Sequence, residues 1–396
     1  MARFLFVVPP LVGHINPTLS VAAALSERGH EVAWSGFGAV LEHLLPEGAR
    51  FFALDDEETN ARLLEAADKG RTLRGLPGLK FLWEDVLVPL AREMAPGVRE
   101  AVDAFEPDVM IVDQQALAGS LVARATGKPW ATFATTSADR QESLAELPKV
   151  MAWTEERLAE LQRELIGGEP VPGPELSPHR IVVFSTEALI GSVERFPAVT
   201  RFVGPAFSSR PVAPTDFPWD QLRDVPRVFV SLGTLNAERG ERFFRALSDA
   251  LGDLPLQVIL VAPDEFGPFP ENFIVRPFVP QLEVLEKVDA VVSHGGHNTV
   301  AETLARSLPL VVAPIKDDQP VIAKQVTEAG CGLRLSFTRP RPALIREAVQ
   351  RVLAEPSFRE AADRIRVSFE QAGGASRAAD LLEELLPGAE AREVPA

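Results

Sequence analysis

Short apolar runs alternate with segments of helical periodicity along the whole chain, a pattern best satisfied by parallel sheets covered with helices. Phe4 to Val8 reads as a strand. Pro17 to Arg28 carries Leu19, Val21, Ala22 and Leu25 at helical spacing and closes at Gly29, and Glu31 to Trp34 reads as the next strand. Val109 to Val112, Trp130 to Phe133 and Ile181 to Phe184 follow, each after helix or loop. The second half repeats the scheme with Val228 to Leu232, Gln257 to Val261, Phe273 to Val275, Ala290 to Ser293 and Leu310 to Ala313. These runs lack strict apolar–polar alternation, as strands buried on both faces should.

A chain of 396 residues suits two cores better than one. The Pro-rich stretch Pro205 to Pro226 separates the halves as a linker, and a second, Glu169 to Pro178, reads as a surface excursion. After Pro342 the pattern is helical to about Leu386, broken at Gly373-Gly374. The expected division is an N-terminal domain over 1–208, a linker over 209–226, a C-terminal domain over 227–372 and a last helix and tail over 373–396. Both domains should be doubly wound α/β, with ligands in a cleft beyond the carboxyl ends of the strands.

The formal net charge of −16 argues against nucleic acid or an anionic membrane as partner. The single cysteine, Cys331, excludes an internal disulfide and a cysteine metal site. Phe4 to Val8 is too short for a signal-peptide core, and no stretch reaches the ~18 apolar residues of a membrane helix, so a cytoplasmic protein without stable membrane insertion is expected.

Neither a Gly-x-Gly-x-x-Gly turn after the first strand nor a Walker lysine motif is present. Val292-Ser293-His294-Gly295-Gly296-His297-Asn298-Thr299 instead joins a buried strand to a helix expected to start near Thr299. Its glycines allow close backbone approach, and Asn298 or Thr299 can cap the helix. A helix N-terminus attracts a diphosphate by local geometry, whatever the net charge. A merely structural Gly-Gly turn with a satisfied His294 is the alternative.

Phe278-Val279-Pro280-Gln281, then His294, Gly296, Asn298, Thr299 and Glu302, then Pro314 and Asp318-Gln319 resemble the nucleotide-sugar signature of the UDP-glycosyltransferase family (family 1 glycosyltransferases), which includes plant secondary-metabolite and bacterial macrolide enzymes. The 25-residue step from His294 to Gln319 matches the family spacing. The resemblance implies the GT-B fold, two facing Rossmann-like domains with an interdomain cleft, and a last helix, about Ser376 to Leu386, that packs back on the N-terminal domain. It further implies that Phe278 stacks on the base, where plant members carry tryptophan, and that the Val279 backbone reads the base edge. Gln281 falls in the same donor segment. Glu302 would accept from ribose hydroxyls, and His294, Gly296, Asn298 and Thr299 would hold the diphosphate. Asp318 and Gln319 would bind sugar hydroxyls, and Ser231-Leu232-Gly233-Thr234 resembles the second phosphate-side loop.

Gly13-His14-Ile15-Asn16-Pro17 follows the first strand, in the motif where the family keeps its catalytic base. Imidazole suits proton removal from an acceptor hydroxyl near pH 7. Asp113 matches the family's partner aspartate, which would hold the ring and stabilise its charged form. The implied reaction is a single inverting displacement on a UDP- or dTDP-hexose, with no cofactor and no metal. Its partners are the nucleotide-diphosphate-sugar donor and a small-molecule acceptor, and a homodimer is left open. His30, His43 and His179 lack motif support and are expected at the surface.

Ile111-Val112-Asp113-Gln114 with Ala118-Gly119, Ser231 to Leu235, and Ala372-Gly373-Gly374 resemble bacterial zeaxanthin glucosyltransferases, whereas Gly13 to Pro17 is nearer the macrolide and plant pattern. The acceptor pocket is expected within Asp56 to Gly97 and Ser137 to Ile166. There Leu79, Phe81, Leu82, Trp83, Val86 and Leu87 either line a site for a hydrophobic natural product or pack into the core. A nucleotide-sugar 2-epimerase of the same fold, or a non-catalytic nucleotide-sugar-binding partner, are the competing functions.

Overall fold

The structure, a computed structural model, describes residues 1–54, 57–70, 73, 75–136, 147–207, 216–233 and 240–388. Described residues within 1–184, 194–208 and 372–396 form one compact unit, and those within 185–193 and 209–371 form another.

The first unit is built on seven parallel strands: β1 (Arg3–Val7), β2 (Glu31–Gly36), β3 (Arg50–Ala53), β4 (Val109–Asp113), β5 (Trp130–Ala134), β6 (Arg180–Val183) and β7 (Thr200–Phe202), in the order β3-β2-β1-β4-β5-β6-β7. Side chains alternate across a strand, so each central strand feeds two cores. Leu5, Val7, Met110 and Val112 pack with the helices Val88–Phe105 and Leu117–Thr126. Phe4, Phe6, Val109 and Ile111 pack with Val12–Glu27 and Gly374–Glu383 on the other face. This explains the unbroken apolar runs, each fully buried Phe or Leu contributing about 1.5–3 kcal/mol.

The second unit has six parallel strands: β8 (Arg227–Ser231), β9 (Gln257–Val261), β10 (Phe273–Arg276), β11 (Ala290–Ser293), β12 (Leu310–Val312) and β13 (Gly332–Arg334), ordered β10-β9-β8-β11-β12-β13. Both sheets therefore follow the Rossmann order, reversing direction at β1/β4 and at β8/β11. Those reversals open a crevice at the carboxyl ends of the strands, where His14, Asp113, Ser231 and His294 end or follow β1, β4, β8 and β11.

Three local features depart from the sequence expectations. Ser185–Val193, expected within the first domain, groups with the second unit. Leu189 joins Val300, Leu304, Ile322 and Val326 there, and Thr186 Oγ1 bonds Ser368 Oγ at 2.8 Å. The described part of the expected linker is packed too. Phe217 is buried in the second unit beside Phe229 and Ile259, with Trp219 at 4.5 Å between ring centroids. Aromatic anchors outweigh a Pro-rich composition.

His30, expected at the surface, is tied in. Its Nδ1 accepts from the Ala2 N–H at 3.1 Å, its Nε2 meets Glu383 at 2.8 Å, and its ring stands edge-on to Phe4. Glu383 belongs to the helix Gly374–Glu383, which Arg28 also grips through Asp380 and Glu383 at 2.7 Å each. Gly373, at φ 84°, breaks the chain between that helix and Pro356–Ala372.

Candidate active site

The helix after β1 begins at Val12, five residues before the periodicity suggested, and carries Pro17 inside it. Proline there removes the bond to the Gly13 carbonyl and crowds that carbonyl with its ring, a local cost that the rest of the 16-residue helix carries. The earlier start puts His14 in the first turn, where it is 5% exposed. Across the switch point, Asp113 ends β4 with its side chain fully buried. His14 Nδ1 lies 2.9 Å from Asp113 Oδ1 and 3.0 Å from Oδ2. The Gln115 backbone N–H donates to Oδ1 at 2.8 Å. An ionised carboxylate only accepts, so the proton on a neutral His14 belongs on Nδ1 and Nε2 keeps its lone pair. That is the arrangement of a general base. On the other face of the sheet, Gly119 lets the helix Leu117–Thr126 pack closely on β1 and β4, since a Cβ there would lie 2.8 Å from Val112 Cγ1 and 2.9 Å from Val7 Cγ1.

Thr135, one residue past β5, escaped the sequence analysis. Its hydroxyl donates to Asp113 Oδ2 at 2.5 Å and lies 2.9 Å from His14 Nδ1. The parallel register pairs Asp113 with Phe133, which puts Thr135 on the same sheet face one step further on. A hydroxyl just beyond a buried strand adjoining the one that ends in Asp113 was the available signal.

In the second unit, β8 and β11 end in register at Ser231 and Ser293. Each hydroxyl accepts from the N–H two residues on, Gly233 at 3.3 Å and Gly295 at 2.9 Å. Both glycines have positive φ, 73° and 84°. Two matching Ser-x-Gly turns thus leave neighbouring strands side by side, and Ser231 builds its loop from within. Thr234 lies outside the described residues.

The His294 ring is bracketed by glycines. A Cβ on Gly233 would come within 2.7 Å of its Cε1, and one on Gly296 within 2.5 Å of its Nε2. The absence of a side chain at both positions therefore leaves room for the ring. Burial pushes the imidazole down to about 4, with hydrogen bonding to the Ser231 backbone acting the other way. Among the described residues Nδ1 finds no partner. His294 is thus neutral near pH 7, a dipolar group and not a cation.

A testable consequence is that unfolded chain, with imidazole near 6.5, binds more protons than folded chain between about pH 4 and 6.5. Stability is then expected to be full above 6.5 and to fall toward pH 4, by up to roughly 1.4 kcal/mol per unit from this group. Denaturant unfolding of wild type and His294→Gln across that range should show the variant missing this part of the slope. Equal slopes would refute a neutral buried imidazole.

The following helix runs His297–Leu304, with Gly296 as N-cap and no side-chain cap. Asn298 and Thr299, expected to cap, instead occupy its first turn, because the left-handed Gly295 turns the chain two residues earlier than anticipated. Glu302 is 1% exposed and accepts from Gln281 Nε2 at 2.6 Å, so two expected donor residues meet in one hydrogen bond. Phe278 stands 64% exposed, while Val279 beside it is buried.

Asp318 is the N-cap residue of Gln319–Glu328, without a side-chain cap. Gln319 Oε1 is occupied by the Ile315 and Lys316 N–H groups at 2.8 and 3.0 Å, leaving its amide nitrogen as the end suited to a hydroxyl. Asp317, at φ 55°, holds the strained turn between them.

In the expected acceptor region, Trp83 and Leu87 are core residues packed with Met94 and Val98, whereas Phe81 and Val86 are partly exposed. Residues 137–146 of the other expected segment lie outside those described. No described helix is long and apolar enough to cross a membrane.

Comparison with known proteins gives a consistent set. The family model described as Erythromycin biosynthesis protein CIII-like, C-terminal domain, matches residues 245–383. The chain is 30% identical to the uncharacterized UDP-glucosyltransferase YojK of Bacillus subtilis (strain 168), over 97% of each. It is 31% identical to the demethyllactenocin mycarosyltransferase of Streptomyces fradiae, over 98% of this chain and 87% of that one. The crystal structure of CalG4, the calicheamicin glycosyltransferase, superposes with a TM-score of 0.79 at 26% identity, covering 97% of this chain and 98% of that chain.

Proposed function

The chain belongs to family 1 of the nucleotide-sugar-dependent glycosyltransferases, with the GT-B fold, and we propose that it moves a hexose, foremost glucose, from a UDP- or dTDP-sugar to a hydroxyl of a hydrophobic natural product. Transfer of sugar to small acceptors is the activity of its natural-product relatives. Transfer to a hydroxyl is supported by one observation above all, the pairing of His14 Nδ1 with the buried Asp113 carboxylate, the arrangement of a general base.

In this scheme Nε2 of His14 removes the acceptor proton as the acceptor oxygen attacks the anomeric carbon. The bond from that carbon to the diphosphate oxygen breaks, its electron pair leaves with the nucleotide, and configuration inverts. Asp113 stabilises the imidazolium and stays ionised. The leaving diphosphate is met by the first turn of His297–Leu304 with Gly296, Asn298 and Thr299, whose N–H groups and dipole favour an anion. His294 adds the dipole of a neutral ring. Phe278 takes the base, Val279 its edge, Glu302 with Gln281 the ribose, and Asp318 with Gln319 the sugar. The scheme uses no metal.

Initial rates with UDP-glucose and dTDP-glucose, against phenolic, macrolide, carotenoid and aminoglycoside acceptors, test the reading, with the product anomer read by NMR. Absence of donor consumption together with absence of nucleotide binding by calorimetry would sink it. Phe278→Ala is expected to weaken nucleotide binding by about 1–3 kcal/mol, the usual cost of losing one aromatic stacking partner. Its exposure makes a folding defect a minor concern, and unchanged affinity would remove Phe278 from the base site.

A further inference from the structure

We propose that Thr135 is a positioning residue, whose hydroxyl locks the Asp113 carboxylate and so keeps the His14 proton on Nδ1. The catalytic consequence rests on His14 being the base. Among the described residues the buried carboxylate has three donors: His14 Nδ1–H, the Gln115 N–H at 2.8 Å and the Thr135 hydroxyl at 2.5 Å. The Gln115 amide lies two residues along the same chain and moves with Asp113. Thr135 comes from the end of a different strand, β5, and so anchors the carboxylate from outside.

The hydroxyl acts twice. A single proton cannot serve both neighbours, and the ionised carboxylate is the stronger acceptor, so the proton goes to Asp113 Oδ2. What Thr135 then turns toward His14 Nδ1, 2.9 Å away, is an oxygen lone pair. An unprotonated Nδ1 would face lone pairs from Oδ1, Oδ2 and Oγ1 together. All three oxygens therefore select the tautomer with Nδ1 protonated, which places the basic lone pair on Nε2. The same oxygens would stabilise the imidazolium once it forms. Thr135 is buried, so water is poorly placed to replace its hydroxyl.

Thr135→Val keeps the shape and deletes the hydroxyl, and Thr135→Ser restores it. Full-length protein labelled with ¹⁵N in its six histidines, with His14 assigned by loss of its signals in His14→Gln, reports the tautomer directly. Wild type and Thr135→Ser should show a protonated Nδ1 and a bare Nε2, whereas Thr135→Val should show averaging between tautomers. Its kcat should fall about 10- to 100-fold at unchanged donor KM, with Thr135→Ser recovering most of the loss. A wild-type tautomer and kcat in Thr135→Val would overturn the proposal. So would equal losses in both variants with the tautomer unmoved, since that pattern marks packing alone. Were wild type to transfer no sugar, the functional reading would fall while the imidazole signals still decided what Thr135 does.

Discussion

Replacement of His14 by alanine is expected to lower kcat for transfer to an aliphatic alcohol by about 10²- to 10⁴-fold, the usual range for a general base. Nucleotide affinity should be nearly unchanged, because the residues proposed to hold the donor belong to the second unit and His14 to the first. The loss should shrink for phenolic acceptors. A phenol near pKa 10 gives up its proton far more readily than an alcohol, so less depends on the imidazole. Asp113→Asn should approach the same loss by another route. An asparagine amide no longer demands a proton on Nδ1, and in serine proteases the corresponding change costs about 10⁴ in kcat. Initial rates with matched alcohol and phenol acceptors, and calorimetry with UDP, measure both parts. An unaffected rate with alcohols would strip His14 of the assigned role.

Gly296→Ala is the second large effect. Its φ of −65° suits any residue, so backbone strain is not the issue. The added Cβ would lie 2.5 Å from His294 Nε2 and 2.8 Å from Cε1, so the ring must move. The ring is also closely approached at Gly233, where a Cβ would lie 2.7 Å from Cε1, and it is buried, so it has little room to do so. Overpacking of this kind costs typically about 1–3 kcal/mol, and the displaced ring would also disturb the first turn of His297–Leu304. Both a lower denaturant midpoint and weaker UDP binding are therefore expected. His294→Ala opens a cavity at the same place, which an alanine methyl at position 296 partly refills. The double variant should then be more stable than the sum of the single losses predicts, with a coupling of about 0.5–3 kcal/mol. Additive losses would mean that the glycine serves something other than the imidazole.

Much of the candidate site was legible because it is written in local chemistry at strand ends. His14 and Asp113 follow apolar runs whose order alone places them near a switch point. Phe278 belonged to a spaced set of residues and proves exposed. Thr135 was not legible. Its partners are 121 and 22 residues away, and only the pairing of β4 with β5 brings the three together. Gly233 and Gly296 were visible, but the room that they leave for the His294 ring was not. Gln281 and Glu302 were both visible, yet their hydrogen bond depends on how the helices Gln281–Leu285 and His297–Leu304 lie against each other. Ser185–Val193 and His30 were misassigned for the same reason, since neither carries a local mark of the distant residues that hold it.

The sequence by itself determined two parallel sheets, their covered faces and the kinds of groups that close their strands. These follow from hydrophobic periodicity and turn chemistry, which act over a few residues. The tertiary structure alone decided which groups meet: the hydroxyl of Thr135 on Asp113, the ring of His294 between Gly233 and Gly296, and the C-terminal helix held by Arg28 and His30. Those contacts depend on strand register and helix packing between segments far apart in the chain. Close packing sets them, and no local pattern encodes it.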